Sequence, residues 1–185
     1  MMRQEMAMSW TFEIEAQCKM FRVITGNAEE GAEMVTAVTG EHVGDGFVRS
    51  PNVTAVLSGS LTSEYEGFEP YTIEGFGYSC PHHPDKQVAP GGMAIATAGK
   101  DMKYFCISAA TGVKLDHEWH ELDRHAGKPG LDPYTFEFDH EVCLVVATGQ
   151  VDVNGMLLNR HRIARGTKFT IEPVLASIIV FVWER

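Results

Sequence analysis

Residues 141–158 read EVCLVVATGQVDVNGMLL, and they contain the clearest strand and turn signals of the chain. This stretch contains an apolar run, Val142–Ala147, and a second short run, Val151–Val153, which is followed by Asn154, Gly155 and a third apolar run. Asn-Gly between two apolar runs predicts a two-residue hairpin turn, because both turn positions need a positive φ. The stretch therefore predicts three strands joined by tight turns.

The rest of the chain has the same punctuation. Short apolar or alternating runs are interrupted by Gly, Pro, Asn or Asp about every ten residues, which is typical of an all-β protein. Trp10–Ile14 and Tyr134–Phe138 alternate between apolar and polar residues, as half-buried strands do. We predict a short helix at Asp116–Arg124, where Asp116 is a suitable N-cap and Trp119 and Leu122 share one side.

The two halves of the chain resemble each other when their glycines are aligned. Each half has a strand, a turn with a small residue and Gly, a returning strand, and a later pair of strands. Three pairs of segments match: Val56–Leu61 with Val146–Val151, Pro90–Thr97 with Ala164–Ile171, and Tyr104–Ile107 with Ile178–Phe181. We predict an N-terminal arm at residues 1–9, a first half at 10–110, a connecting segment with the short helix at 111–133, and a second half at 134–185.

These motifs resemble those of the cupin superfamily. A cupin half has a Glu, an apolar strand ending at Gly, a hairpin, and then Pro-x-Gly before another strand. Glu141 to Gly149 resembles the first part with one extra residue, and Ala164-Arg165-Gly166 and Pro90-Gly91-Gly92 resemble the second. The resemblance implies a jelly roll, also called a double-stranded β-helix, with two cupin-like halves in a compact bicupin-like arrangement. Two small barrels and one enlarged sandwich are both compatible with it.

The resemblance also indicates where a metal would be bound. Metal-binding cupins have two His before the Glu and a third His three residues after the Pro-x-Gly glycine. The third position is Phe169 in one half and Ile95 in the other, and residues 45–52 contain no His. The two earlier positions fall on Thr135 and Glu137, or on Tyr134 and Phe136. The resemblance therefore implies an apolar interior that holds no metal or other cofactor, and it identifies no catalytic residue.

An alternative metal site can be built from other residues. His117 and His120 are three residues apart, so they share a face if this segment is helical. Together with His140 and Glu137 or Glu141 they would offer ligands for Fe, Zn, Mn or Ni. His82 and His83 lie between prolines, and adjacent residues of an extended chain point apart, so we predict an exposed loop there.

Charge and composition exclude several classes of function. The net charge of −10 disfavours nucleic-acid binding. No apolar run reaches the ~18 residues of a membrane span, and the Met-rich N-terminus lacks the features of a secretory signal. The four cysteines form no CxxC pair, so we interpret them as reduced. We expect a cytoplasmic protein, or a virion component if its source is viral.

One basic cluster interrupts the acidic sequence. It consists of Arg160, Arg162, Arg165 and Lys168, with His161 between the first two. It is either a solvated turn or an interface for an acidic partner.

Three functions follow from these observations. The first is a non-catalytic cupin-like module for binding or assembly, such as a structural subunit of a homo-oligomeric particle like a virion. The second is a metal-dependent cupin-type enzyme, for example a dioxygenase, isomerase or lyase. The third is a sensor that binds a small molecule in an apolar pocket.

Overall fold

The computed structural model describes residues 10–37, 53–65, 69–75, 77–79, 93–125 and 127–185. Within these residues the chain forms strands and no helix, which confirms the all-β prediction. The strands are β1 (Trp10–Gln17), β2 (Phe21–Ala28), β3 (Glu33–Ala37), β4 (Val53–Ser58), β5 (Ser60–Tyr65), β6 (Tyr71–Glu74), β7 (Gly77–Ser79), β8 (Met93–Ala98), β9 (Met102–Ala109), β10 (Leu115–Leu122), β11 (Tyr134–Thr148), β12 (Gln150–Val153), β13 (Met156–Asn159), β14 (Ile163–Pro173) and β15 (Ser177–Glu184).

Several predictions fall outside the described residues. They concern the N-terminal arm at 1–9, the segment 45–52, the His82-His83 loop and the Pro90-Gly91-Gly92 turn. In the part of the chain that is described, no helix is long and apolar enough to cross a membrane.

The chain divides into two units, Met1–Gly112 and Val113–Arg185. In the first unit, the strands form a five-stranded sheet with the order β1-β2-β9-β4-β7 and a four-stranded sheet with the order β3-β8-β5-β6. Ile24, Val56 and Tyr104 of the first sheet share a core cluster with Leu61 and Ala98 of the second. The described strands of this unit therefore have the two-layer arrangement of a jelly roll.

The second unit is built on a six-stranded antiparallel sheet with the order β10-β15-β11-β14-β12-β13. The register of β11 against β14 shifts between Glu137 and Val142, so this long strand has two parts. Its first part, through Glu137, pairs with β14, and its second part pairs with both β14 and β15. We call the side of the sheet that carries the core cluster the inner face. That cluster contains Leu122, Val142, Leu144, Val146, Val151, Val153, Leu158, Phe169, Ile171, Ile179 and Phe181.

The central strands of the second unit are buried on both faces. Every residue of Val142–Ala147 is fully buried, and so is every residue of Ile179–Val182. Strands that are covered on both sides have continuous apolar runs rather than alternation, which is the pattern these segments show in the sequence.

The structure supports the first pair of matched segments, Val56–Leu61 with Val146–Val151, whereas the other two pairs are out of step by one residue. Gly59 joins β4 to β5 with φ of 79°, and Gly149 joins β11 to β12 with φ of 86°. The pairing of β4 with β9 and of β5 with β8 matches the pairing of β11 with β15 and of β12 with β14. The Asn154-Gly155 hairpin is also confirmed, because both residues have a positive φ.

The predicted helix at Asp116–Arg124 is wrong, because this segment contains β10. The strand pairs with β15 along its whole length, from Leu115 opposite Glu184 to Leu122 opposite Ser177. Both Leu115 and Leu122 are buried although they have opposite parity, so the segment lacks clean strand alternation. Its partner β15 is a strong apolar strand distant in sequence, and such tertiary pairing overrides a weak local signal.

Candidate functional site

The inner face of the second unit carries a group of contacting phenylalanine rings. We call Phe136, Phe138, Phe169 and Phe181 the aromatic cluster. The centroid of Phe181 lies 4.9 Å from that of Phe136, 4.8 Å from that of Phe138 and 5.2 Å from that of Phe169. The rings are tilted, with interplanar angles of 53–56°. This geometry is favourable for aromatic pairs, so the cluster packs as a core.

The register of the sheet explains why these rings meet. Phe136 of β11 and Phe169 of β14 are cross-strand partners, and Tyr134 is the partner of Ile171 two residues away. Alternate residues of a strand share a face, so Tyr134, Phe136 and Phe138 project to the same side. The prediction that Phe169 faces the interior is confirmed, since it is 2% exposed within the cluster.

His120 lies against one side of the aromatic cluster. Its ring centroid is 4.6 Å from that of Phe136 and 5.7 Å from that of Phe181. Its Nε2 lies 2.8 Å from Oε1 of Glu118, the previous inner-face residue on β10, without the alignment of a hydrogen bond. His120 and Glu118 thus form an imidazole–carboxylate contact, with the imidazole ring beside Phe136.

His140 lies near two other aromatic side chains, Trp183 and Phe138. Its centroid is 5.4 Å from that of Trp183 and 6.1 Å from that of Phe138. The Nδ1 of its ring contacts the exposed carboxylate of Asp139, and this hydrogen bond lowers the pKa of Asp139. His140 and His120 thus lie against different aromatic rings and have different carboxylate neighbours.

The remaining residues of the alternative metal site do not join them. His117 lies on the face of β10 opposite to His120, because residues three apart on a strand have opposite parity. Burial lowers the pKa of His117, although the carboxylate of Asp116 opposes this shift. Glu141 and Glu137 point outward and pair with Arg165 and Lys168. His117 and His120 would share a face only if this segment were helical.

Only some cations of the basic cluster form ion pairs within the described residues. Arg165 lies 3.1 Å from Glu141, and Lys168 lies 2.7 Å from Glu137. Within the described residues, Arg160 and Arg162 form no ion pair. The charge available to a partner is therefore concentrated on these two residues.

The first unit has a smaller polar site around Tyr104. Its hydroxyl donates a 2.8 Å hydrogen bond to the carbonyl oxygen of Thr11, and its ring lies 5.6 Å from that of Trp10. Burial raises the pKa of Tyr104 above its ordinary value and raises that of Cys106 to about 12. Both groups stay protonated at neutral pH, so Cys106 lacks the thiolate character of a nucleophile.

The prediction that Ile95 faces the interior of the first unit is wrong. Ala96 and Ala98 of β8 contact the core cluster, and Ile95 therefore lies on the opposite face of the strand. The alignment with the Pro-x-Gly motif was one residue out of register, so it assigned the side chains of this strand to the wrong faces.

Sequence reasoning missed an ion pair at the end of β10. Arg185 donates two hydrogen bonds to the Asp116 carboxylate, Nε to Oδ2 at 3.1 Å and Nη2 to Oδ1 at 2.8 Å. The pair lowers the pKa of Asp116. The pairing of β10 with β15 brings Asp116 close to Arg185, and a helical segment would not predict this pairing.

Comparison with known proteins identifies the fold. Neither a family model nor a curated protein matches the sequence. Solved structures do match, at low identity. The cupin 2 conserved barrel domain protein from Leptotrichia buccalis has 9% identity and a TM-score of 0.52, over 96% of this chain and 90% of that one. The protein Ylba from E. coli has 14% identity and a TM-score of 0.57, over 96% and 84%.

A third match holds a metal. The bacterial pirin YhhW from Escherichia coli, in complex with nickel(II), has 10% identity and a TM-score of 0.52, over 89% of this chain and 81% of that one. Together with the topology and the duplicated turns, these likenesses show that the chain has the cupin fold. The resemblance to cupins that the sequence indicated is confirmed at the level of the fold.

The inner face of the second unit does not fit a cupin metal centre. The resemblance places one imidazole ligand at Phe169 and, in one of its two alternatives, another at Phe136, and both side chains are in the aromatic cluster, which offers no lone pair. His120 and Glu118 provide two donors, and the described residues contain no group of three His, Cys, Asp or Glu side chains that could hold an ion.

Proposed function

We propose that this chain is a cupin-fold module that acts by binding and assembly and forms homo-oligomers. The observation that supports the proposal most is the aromatic cluster. Phe181 is completely buried, with 0% of its surface accessible to solvent, and its ring contacts three other phenylalanine rings. Phe169, at the position of a metal ligand in metal-binding cupins, would here contribute to stability.

The energetic argument is simple. Burial of a phenylalanine side chain contributes about 1.5–3 kcal/mol, and a well-oriented aromatic pair adds about 0.5–1.5 kcal/mol. A buried imidazole in the same place would need hydrogen-bond partners or a metal to offset its desolvation. A phenylalanine ring packed against three others therefore favours an apolar interior. A virion subunit is one form that a particle built from such a module could take.

The first test is metal content. The protein is purified without chelator, offered Ni²⁺, Zn²⁺, Mn²⁺ and Fe²⁺ in turn, desalted and measured by inductively coupled plasma mass spectrometry. We expect well under one equivalent of each ion and no difference between the wild type and H120A, with H117A as a matched control on the opposite face. One equivalent that is lost in H120A and retained in H117A would favour the metal-dependent enzyme instead.

The second test is mass in solution. Native mass spectrometry and analytical ultracentrifugation at micromolar concentrations are expected to show a homo-oligomer. A strict monomer across the accessible concentration range would overturn the assembly part of the proposal. An organic molecule that co-purifies in stoichiometric amount would instead support the small-molecule sensor.

A further inference from the structure

The turn between β12 and β13 contains Asn154 followed by Gly155, two residues that can react with each other. The main-chain nitrogen of Gly155 attacks Cγ of the Asn154 side chain, so that an N–Cγ bond forms and the Cγ–Nδ2 bond breaks. Ammonia leaves with the proton of the Gly155 nitrogen, and water then opens the cyclic imide to Asp or isoaspartate. Glycine favours this deamidation because it has no Cβ to hinder the attack.

In the folded protein the Asn154 side chain is held by β14. Its Nδ2 donates a 3.1 Å hydrogen bond to the Lys168 carbonyl oxygen, and its Oδ1 accepts one of 2.8 Å from the Thr170 amide. The main-chain amide of Asn154 also donates a 2.9 Å hydrogen bond to the Thr170 carbonyl oxygen. The leaving group and the carbonyl group of the side chain are thus both bound to the main chain of the neighbouring strand.

The attacking nitrogen is held as well. The N–H of Gly155 donates a 2.8 Å hydrogen bond to Oδ1 of Asp152. Hydrogen bonds to an ionised acceptor are stronger than those between neutral groups. Ring closure needs the side-chain amide of Asn154 to rotate toward this nitrogen, so it must break the hydrogen bonds of both residues.

We propose that Asn154-Gly155 is a deamidation site that folding protects, stable while the hairpin is closed on β14 and reactive when the hairpin opens. Among the described residues, β13 is an end strand of the six-stranded sheet and pairs with β12. Weakly held elements open locally at a lower free energy than the whole domain. Asn154 and Gly155 are exposed, so water reaches them for the hydrolysis. The amount of modified protein therefore records how long the hairpin has been open.

The product closes the turn less well than Asn154 does. Asp at this position has no N–H for the Lys168 carbonyl and places a carboxylate oxygen there instead. Isoaspartate routes the main chain through the side chain and lengthens the two-residue turn. The hairpin contributes Val151, Val153 and Leu158 to the core cluster, so an open hairpin exposes apolar side chains to water. The modification therefore favours the open hairpin over the closed one.

The first test compares the folded with the unfolded protein. Wild type and G155A are incubated at pH 8 with and without guanidinium chloride, and chromatography with mass spectrometry quantifies Asp and isoaspartate at position 154. We expect the unfolded wild type to react at least about tenfold faster than the folded wild type, because the hairpin is open for a small fraction of the time. Equal rates would overturn the protection. Unfolded G155A should react more slowly than the unfolded wild type, and equal rates there would overturn the site itself.

The second test removes the hydrogen bond of Gly155. D152A leaves the Gly155 N–H without its acceptor, whereas D152N keeps a side-chain oxygen that can accept it. In native buffer we expect D152A to react at least about fivefold faster than the wild type, and D152N to stay close to the wild type. Circular dichroism and the melting temperature establish that both variants fold. A folded D152A that reacts no faster than the wild type would overturn the role of this hydrogen bond, and the first test decides without either variant.

The third test examines the product. N154D imitates the aspartate form, and N159D is the matched control, since it adds the same charge on β13 while its carboxylate can still accept the hydrogen bond from Gln150 Nε2. We expect a lower melting temperature for N154D than for N159D, and equal values would contradict the weakened closure. All three tests measure the reaction and stability of the chain itself, so the proposed assembly can fail without affecting their outcome.

Discussion

Gly149 lies so close to Ser177 that a Cβ on the glycine would be 2.2 Å from the serine Oγ. The same hydroxyl accepts a 3.0 Å hydrogen bond from the Gln150 amide and donates one of 2.7 Å to the Leu175 carbonyl. The first unit repeats this arrangement, because a Cβ on Gly59 would lie 2.6 Å from the Asp101 carbonyl oxygen. In both units a glycine in the left-handed region allows two successive strands to pass closely by the turn before the last strand.

We predict that G149A destabilises the protein more than G155A does. Both glycines have a positive φ, but a Cβ at Gly155 meets nothing within 4 Å. The G155A variant should lose only the conformational preference, about 1–2 kcal/mol. The G149A variant adds a clash with Ser177, for a total of about 3 kcal/mol or more. Urea unfolding of the two variants measures the difference, and equal losses would contradict the close approach.

We predict a pH-dependent contribution from the pair of Asp116 and Arg185. The guanidinium of Arg185 holds the pKa of Asp116 below its ordinary value. A carboxyl group whose pKa is depressed by folding stabilises the protein above its unfolded pKa, and this contribution is lost as the pH falls through the folded pKa. Since both side chains are largely exposed, the effect is small and screened by salt.

The measurement compares the wild type with D116N. The wild type should be slightly more stable at pH 7 and low salt, and the difference should disappear as the pH falls through the depressed pKa of Asp116, or in 1 M salt. R185Q should reproduce the effect of D116N, and the double variant should add little further loss. A difference that persists in acid would contradict this assignment.

Much of the fold could be predicted from the sequence because its signals are local. The Asn154-Gly155 turn and the apolar runs before and after it need only neighbouring residues. The repeat of Val56–Leu61 in Val146–Val151 is also visible in the sequence, since turn glycines have few substitutes. These features are enough to indicate duplicated strands and a cupin-like unit.

The failures depend on partners that are distant in sequence. Trp119 and Leu122 suggested a helix, but β15 supplies a cross-strand partner for every residue of β10. That error of secondary structure became an error about chemistry, because His117 and His120 share a face of a helix and lie on opposite faces of a strand. At Ile95, one residue of register decided which face the side chain occupies.

We predict that the buried thiols are unreactive in the folded protein. Burial raises the pKa of Cys106 to about 12, and Cys143 is fully buried in β11. Cys18 is only half-buried at the start of the turn between β1 and β2. Alkylation with iodoacetamide at pH 8, followed by peptide mass spectrometry, should label Cys18 well before Cys106 and Cys143. Labelling at equal rates in the folded state would contradict the burial of these two thiols.

In the second unit, phenylalanine rings pack together where the resemblance to cupins would place metal ligands. The most direct measurement is the unfolding free energy of F169A, with the conservative variant F169L as a control, in the presence and absence of EDTA. Phe169 is 2% exposed, so we expect a loss of about 3–5 kcal/mol for F169A, a smaller loss for F169L, and no effect of the chelator on any form. A nearly neutral F169A, or a wild-type protein that loses stability when EDTA is added, would contradict the account.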